Sequence, residues 1–101
     1  MKYIKEEELQ RELFISKRNN ELTSEGLEIF MKMAELRSHS YNFIDEEIRK
    51  ESILFAVLSC YKYWRKYDHN KGRGFVFFSV IISHAFIRIS KKEELKERIK
   101  I

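Results

Sequence analysis

The chain has no proline, only three glycines and one cysteine among 101 residues, and no apolar stretch approaching the ~18 residues of a bilayer span. Each scarcity excludes something. With so few helix breakers, and with apolar positions recurring at helical spacing, the fold class expected is all-α. A single thiol, Cys60, cannot close an internal disulfide, and with three scattered histidines it gives no metal-ligand spacing. No metal or other cofactor is therefore expected. The opening MKYIKEEELQ lacks the apolar core of a leader, which predicts a soluble, cytoplasmic protein with no membrane partner.

Charge of one sign is scarce too. The 20 basic and 16 acidic residues leave a net charge of +4, mild for a protein that holds duplex DNA by electrostatics alone. DNA contact, if made, is expected to be local or assisted. Hydrophobic residues make up 44% and aromatic residues 14%, enough for a modest core in a single domain whose small size favours support from a partner.

The stretch DEEIRKESILFAVLSCYKYWRKYDHNKGRGFVFFSVIISHAFIRISKK, residues 45–92, carries the information. It is an apolar helical run, a polar hinge and a second, aromatic helical run. At ~100° per residue, Ile53, Ala56, Val57, Cys60, Trp64 and Tyr67 form a core stripe, while Glu51, Phe55, Leu58 and Lys62 take the opposite side. A helix apolar on both sides is central in its bundle or turned toward a partner. In the second run, Phe75, Phe78, Ile82, Ala85, Phe86 and Ile89 gather on the core side, and Phe77, Ile81, His84, Arg88 and Lys91 on the other. Rings and cations together suit single-stranded nucleic acid, where bases stack and phosphates pair; covering a neighbouring helix is the plainer alternative for Phe77 and Ile81.

Upstream, residues 5–17 form a first helix with Leu9, Leu13 and Phe14 toward one side and acidic residues at its start. Thr23 or Ser24 caps a second helix that runs to about Arg37, and Asp45 caps the third. The organisation expected is a compact bundle of about four helices: 1–20 an N-terminal helix, 21–44 a support helix and connector, 45–92 the core, and 93–101 a charged tail. In the hinge, Gly72 and Gly74 lie among Lys71 and Arg73, but the phosphate-loop spacing and its preceding strand are missing, so a structural turn is expected. The carboxylate clusters at residues 6–8, 45–47 and 93–94 sit at helix starts or in the tail, and no nucleophile arrangement accompanies them. No catalysis is expected.

The ordered set YNF, then SCYKYWRKYDHNKGRGFVFFSVIISHAFIRISKK, preceded by ELTSEGLEIFMKMAELR, resembles region 2 of bacterial sigma factors. It is more closely similar to the late-transcription sigma factors of T-even-type phages, whose pattern includes fD-x-x-K, faYft-x-ii-x-naf and i-x-kek. The match covers about residues 21–92. The resemblance implies a sigma region 2-like fold and a late-transcription initiation factor that binds RNA polymerase core, on the clamp helices of its largest subunit, and that recognises and melts an AT-rich, minus-ten-like promoter element. The resemblance, taken with the outward face of the first run, assigns polymerase binding to Glu51, Leu54, Phe55, Leu58 and Lys62. Glu51 matches the family, whereas Leu54 and Phe55 stand where it carries a polar and an acidic side chain.

The resemblance assigns promoter DNA to Lys71, Arg73, Phe78, Ile81, His84, Arg88, Lys91 and Lys92, and the outward face of the second run adds Phe77. Phe75 and Phe78 match the aromatic pair, with Phe78 the implied stacking ring, while the helical wheel sets Phe77 further outward; both stay open as the ring that meets the base. Ile81 and Ile82 replace the tryptophan pair of housekeeping sigma factors. No helix-turn-helix follows, so a co-activator or a sliding clamp enters as a further implied partner, with Leu95, Ile99 and Ile101 as the residues left to recruit it, or, as the plainer reading, as the apolar side of an amphipathic helix end. The alternative function is a polymerase-binding inhibitor or scaffold that occupies the sigma-docking surface without reading DNA.

Overall fold

The computed structural model describes residues 4–99, with side chains through Glu94. The side chains of Leu95 and Ile99, and the whole of Ile101, lie outside the described residues. Four helices follow one another: α1 (Glu6–Asn19), α2 (Ser24–Ser38), α3 (Glu46–Tyr63) and α4 (Gly74–Ile99), with a single 3₁₀ turn, Trp64–Lys66, continuing α3. No strand occurs among the described residues, so the all-α expectation holds.

Helix α1 starts on three glutamates and ends on Lys17 and Arg18, an arrangement that suits the helix dipole at both ends. Asn20 closes it in the left-handed region, at φ 54°, where its N–H reaches back to Ser16 and Lys17 carbonyls; Glu21 N–H donates to the Ser16 carbonyl at 3.0 Å. This is the αL ending that Asn tolerates better than most residues. The next helix is tied to the first before it begins. Thr23 Oγ1 accepts from Gly26 N–H at 3.0 Å and donates to Glu12 Oε1 at 2.8 Å, while Thr23 N–H donates to the buried Ser16 Oγ at 3.0 Å. Asp45 Oδ1 accepts from Ile48 N–H at 2.9 Å and caps α3. Both capping expectations are met, with Thr23 rather than Ser24 in the role.

One core joins all four helices. Leu9 and Leu13 of α1, Ile29, Phe30, Met33 and Ala34 of α2, Ala56, Val57 and Cys60 of α3, and Phe78, Ile82, Ala85 and Phe86 of α4 are buried together with Trp64 and Tyr67. The α3 stripe expected from periodicity is therefore the buried one. Its centre is aromatic: Phe30 and Phe78 lie 4.5 Å apart, and Tyr41 and Phe43, from the connector after α2, meet Phe86 edge-on at 5.1 and 5.5 Å. Burying each such ring contributes about 1.5–3 kcal/mol.

Two sequence expectations change at α4. The helix does not stop at Lys92 but runs on to Ile99, because KKEELKER contains strong helix formers and no breaker. Moreover, Gly74–Glu94 has the length and mean hydropathy, 1.4, that suffice on paper to cross a membrane, so the expectation of no such stretch is corrected. In the fold, this helix supplies Phe78, Ile82, Ala85, Phe86 and Ile89 to the core, while Val76, Val80 and Ile87 stay exposed.

Candidate docking groove and nucleic-acid interface

The N-terminus of α4 is held by α1. Glu6 accepts from Gly74 N–H at 2.9 Å through Oε2 and from Phe75 N–H at 3.1 Å through Oε1, meeting two of the donors that a helix start leaves unsatisfied. Gln10 Nε2 donates to Glu6 and to Tyr67 Oη, each at 2.6 Å, and Tyr67 Oη donates to the Gly72 carbonyl at 2.6 Å. The hinge is thus anchored to α1 by a chain of polar contacts. Within it, Asp68 Oδ1 accepts from Asn70 N–H at 2.9 Å and the Asp68 carbonyl from Lys71 N–H at 3.0 Å. Gly72, at φ 155°, occupies a conformation that L side chains rarely adopt. Lys71 and Arg73 project from this turn exposed, and Arg73 approaches Glu6 at 3.8 Å.

Further along the bundle, away from the hinge, α3 and α4 leave a groove of about 420 Å³, lined by Glu51, Leu54, Phe55 and Leu58 on one side and Arg88, Ile89 and Lys92 on the other. Leu54 is 60% and Leu58 56% exposed, while Phe55 is half-buried with the Arg88 guanidinium 5.9 Å from its ring centre. Exposed leucines flanking a ring that carries a cation make an apolar surface with mixed charge at its ends. Four of the five residues assigned to polymerase are brought together here. Lys62 is exposed elsewhere on α3, with its ammonium over the Tyr63 ring at 5.4 Å. The separation expected between the two faces is less complete: Arg88 and Lys92, assigned to DNA, belong to this same groove.

The other assigned DNA residues divide. Phe78 is 0% exposed, locked against Phe30 and Tyr67, and in this packing it cannot offer a face to a base. The ring that the resemblance expects to stack is thus a core ring in this packing. Phe77 is half-buried, edge-to-face with Phe78 at 5.0 Å and tilted on Tyr67 at 5.4 Å, so it keeps one partly open side. Ile81 is half-buried against the core, as the plainer alternative had it. His84 and Lys91 are exposed.

Sequence reasoning passed over another strip. Val76, Val80 and Ile87 are exposed on α4 and, with Ser79, Ser83, His84 and Arg37 of α2, border a second groove of about 480 Å³. Positions 76, 80, 83, 84 and 87 share a helix face by their spacing, so the signal was present, masked by the surrounding apolar residues. Cys60 is fully buried, and burial pushes its thiol up to about 12, the behaviour of a core residue. Among the described residues no three His, Cys, Asp or Glu side chains gather to hold a metal ion.

Compared with known proteins, the chain matches no family model, no curated protein and no solved structure.

Proposed function

We propose that this chain is a sigma region 2-like initiation factor, which docks on core RNA polymerase through the α3–α4 groove and helps open an AT-rich, minus-ten-like promoter element, in phage late transcription inside the host cytoplasm. The observation that carries this reading is the pair of exposed leucines, Leu54 and Leu58, beside Phe55. In a small chain, large apolar side chains left outside a complete core favour contact with a partner, and these fall where the sigma resemblance expects the clamp helices of the largest subunit.

On this reading the hinge cations Lys71 and Arg73 meet the DNA backbone, and α4 faces the separated strand with Phe77, His84 and Lys91. Phe77 takes the base-stacking role in place of Phe78. Unpairing a base costs a few kcal/mol and stacking on a ring returns ~1–3 kcal/mol, so opening draws on the polymerase as well. Arg88 and Lys92, at the groove, serve docking first.

A second reading has one observation in its favour. The family's implied stacking ring, Phe78, is core here, which suits an inhibitor or scaffold that occupies the sigma-docking surface without reading DNA. Run-off transcription with core polymerase separates the two. A promoter reader supports transcription, and Phe77→Ala with His84→Ala abolishes it while polymerase binding persists; an inhibitor yields no transcript and blocks the host sigma.

A further inference from the structure

Helix α1 carries a surface that the reading above leaves unused. Phe14, placed toward the packed side by sequence reasoning, is 69% exposed. Arg11 and Arg18 lie three residues before it and four after it, on one face of the helix, and both are exposed. Three of the four acidic residues of α1 lie in its first turn, the fourth, Glu12, follows Arg11, and Lys17 and Arg18 close the helix. The face borders a cavity of about 740 Å³ closed on its far side by Tyr67, Asp68 and His69, the start of the hinge.

The cations there are unequal. Lys17 is committed to the fold: its ammonium donates to the Tyr67 carbonyl and lies 5.9 Å from the Tyr67 ring centre. The only ion pair of Arg11 among the described residues is to its neighbour Glu12, at 3.8 Å, and none involves Arg18. An exposed ring between two available guanidiniums is the combination that seats an unstacked base and its flanking phosphates. An acidic peptide would use the same cations, but the exposed Phe14 ring offers a face to a base, and the cavity reaches the start of the hinge at Asp68 and His69, which leads along the chain to the exposed Lys71 and Arg73. That placement favours a strand running on from α4.

We infer that the Arg11, Phe14 and Arg18 face of α1 is a second contact for single-stranded nucleic acid, with a base on Phe14 and phosphates on the two arginines. The inference rests on the reading that this chain touches the separated DNA strand, and it extends the path of that strand past the hinge onto α1.

The test is fluorescence anisotropy of a labelled oligothymidylate with the full chain over a range of salt. Phe14→Ala is expected to weaken binding about fivefold or more with the salt slope unchanged, and Phe14→Trp to restore it. Arg11→Gln and Arg18→Gln are each expected to reduce the slope by about 0.7. Phe14 is largely outside the core, so its variants remain folded, which circular dichroism verifies. Wild-type-like affinity in Phe14→Ala, or no binding by the wild type, overturns the inference. So does loss of polymerase co-elution in Phe14→Ala with oligonucleotide binding intact, which assigns the face to a protein contact. Polymerase co-elution by the wild type is scored separately, so the site on α1 can fail while the docking reading stands.

Discussion

Glu6 caps a helix that begins 68 residues further along the chain: its carboxylate accepts the backbone N–H groups of Gly74 and Phe75 at 2.9 and 3.1 Å. The cap comes from α1, so the start of α4 is fixed by the tertiary fold rather than by its own preceding residues. The same carboxylate holds Gln10, and through it Tyr67 and the hinge.

Removing it should be felt across the molecule. Glu6→Ala leaves two donors of α4 without their acceptor and is expected to cost about 1–2 kcal/mol, lowering the thermal midpoint by roughly 5 °C or more. Glu6→Gln keeps an acceptor oxygen and should lose less. Thermal unfolding followed by circular dichroism checks both; equal midpoints for Glu6→Ala and wild type would remove the cap from the account.

Gly74 and Gly72 are needed for different reasons. A Cβ on Gly74 would lie 2.7 Å from Leu9 Cδ2 and 3.0 Å from Glu6 Oε2, and Leu9 is fully buried, so moving it disturbs the core. Gly74→Ala is therefore expected to destabilise by about 1–3 kcal/mol, against the better helix propensity of alanine. At Gly72 nothing stands within 4 Å, and the cost of alanine there is backbone strain, about 1 kcal/mol or more. Denaturant unfolding of the two variants compares them, and a Gly74→Ala variant more stable than wild type would contradict the packing argument.

Ser52 is fully buried in α3, and its Oγ has no hydrogen-bond partner among the described residues. A hydroxyl taken out of water without compensation costs about 1–3 kcal/mol. Ser52→Ala removes that cost and a poorer helix former at once, so stability should rise by about 1 kcal/mol. A loss of stability in urea unfolding would mean that the hydroxyl is satisfied.

Cys60 sets a pH dependence. Burial raises its thiol from an ordinary 9.0 to about 12, so above pH 9 the unfolded chain releases this proton while the folded chain retains it. Below pH 9 both states carry the proton and the group adds no slope. Between pH 9 and 12 stability should fall as pH rises, and Cys60→Ala should lack that component. Thiol labelling at pH 8 is expected to be slow in the folded protein and fast in denaturant; rapid labelling of the native chain would show an accessible thiol.

What the sequence made legible is what helical period controls. Ala56, Val57, Cys60 and Trp64 fall on the buried face because a 3.6-residue repeat fixes their direction before any partner is known. The caps at Thr23 and Asp45 were legible because they act within four residues. The wheel failed where tertiary contacts decide. Phe77 is half-buried, with Tyr67 of the hinge folded onto its ring, a contact no local pattern encodes. Phe14 stands outside because Leu9, Leu13 and Ser16 already fill the face of α1 that meets the core. The role of Glu6 was hidden for the same reason, since its partners lie at the other end of the chain. At the candidate site, Phe55 and Leu58 were found opposite the core stripe and Leu54 through the sigma resemblance, but their sharing of a groove with Arg88 and Lys92 depends on how α3 and α4 pack.

Docking on polymerase is the central claim, and co-elution of the purified chain with bacterial core RNA polymerase at physiological salt tests it most directly. The variant to compare is Leu54→Ser with Leu58→Ser, since both side chains lie mostly outside the core and surface changes of this kind usually move stability within ±0.5 kcal/mol. Wild type is expected to co-elute and the double variant to bind at least tenfold more weakly, ~1.4 kcal/mol, with its fold intact. Failure of the wild type to bind, or equal binding by the two proteins, would contradict the docking role of the α3–α4 groove.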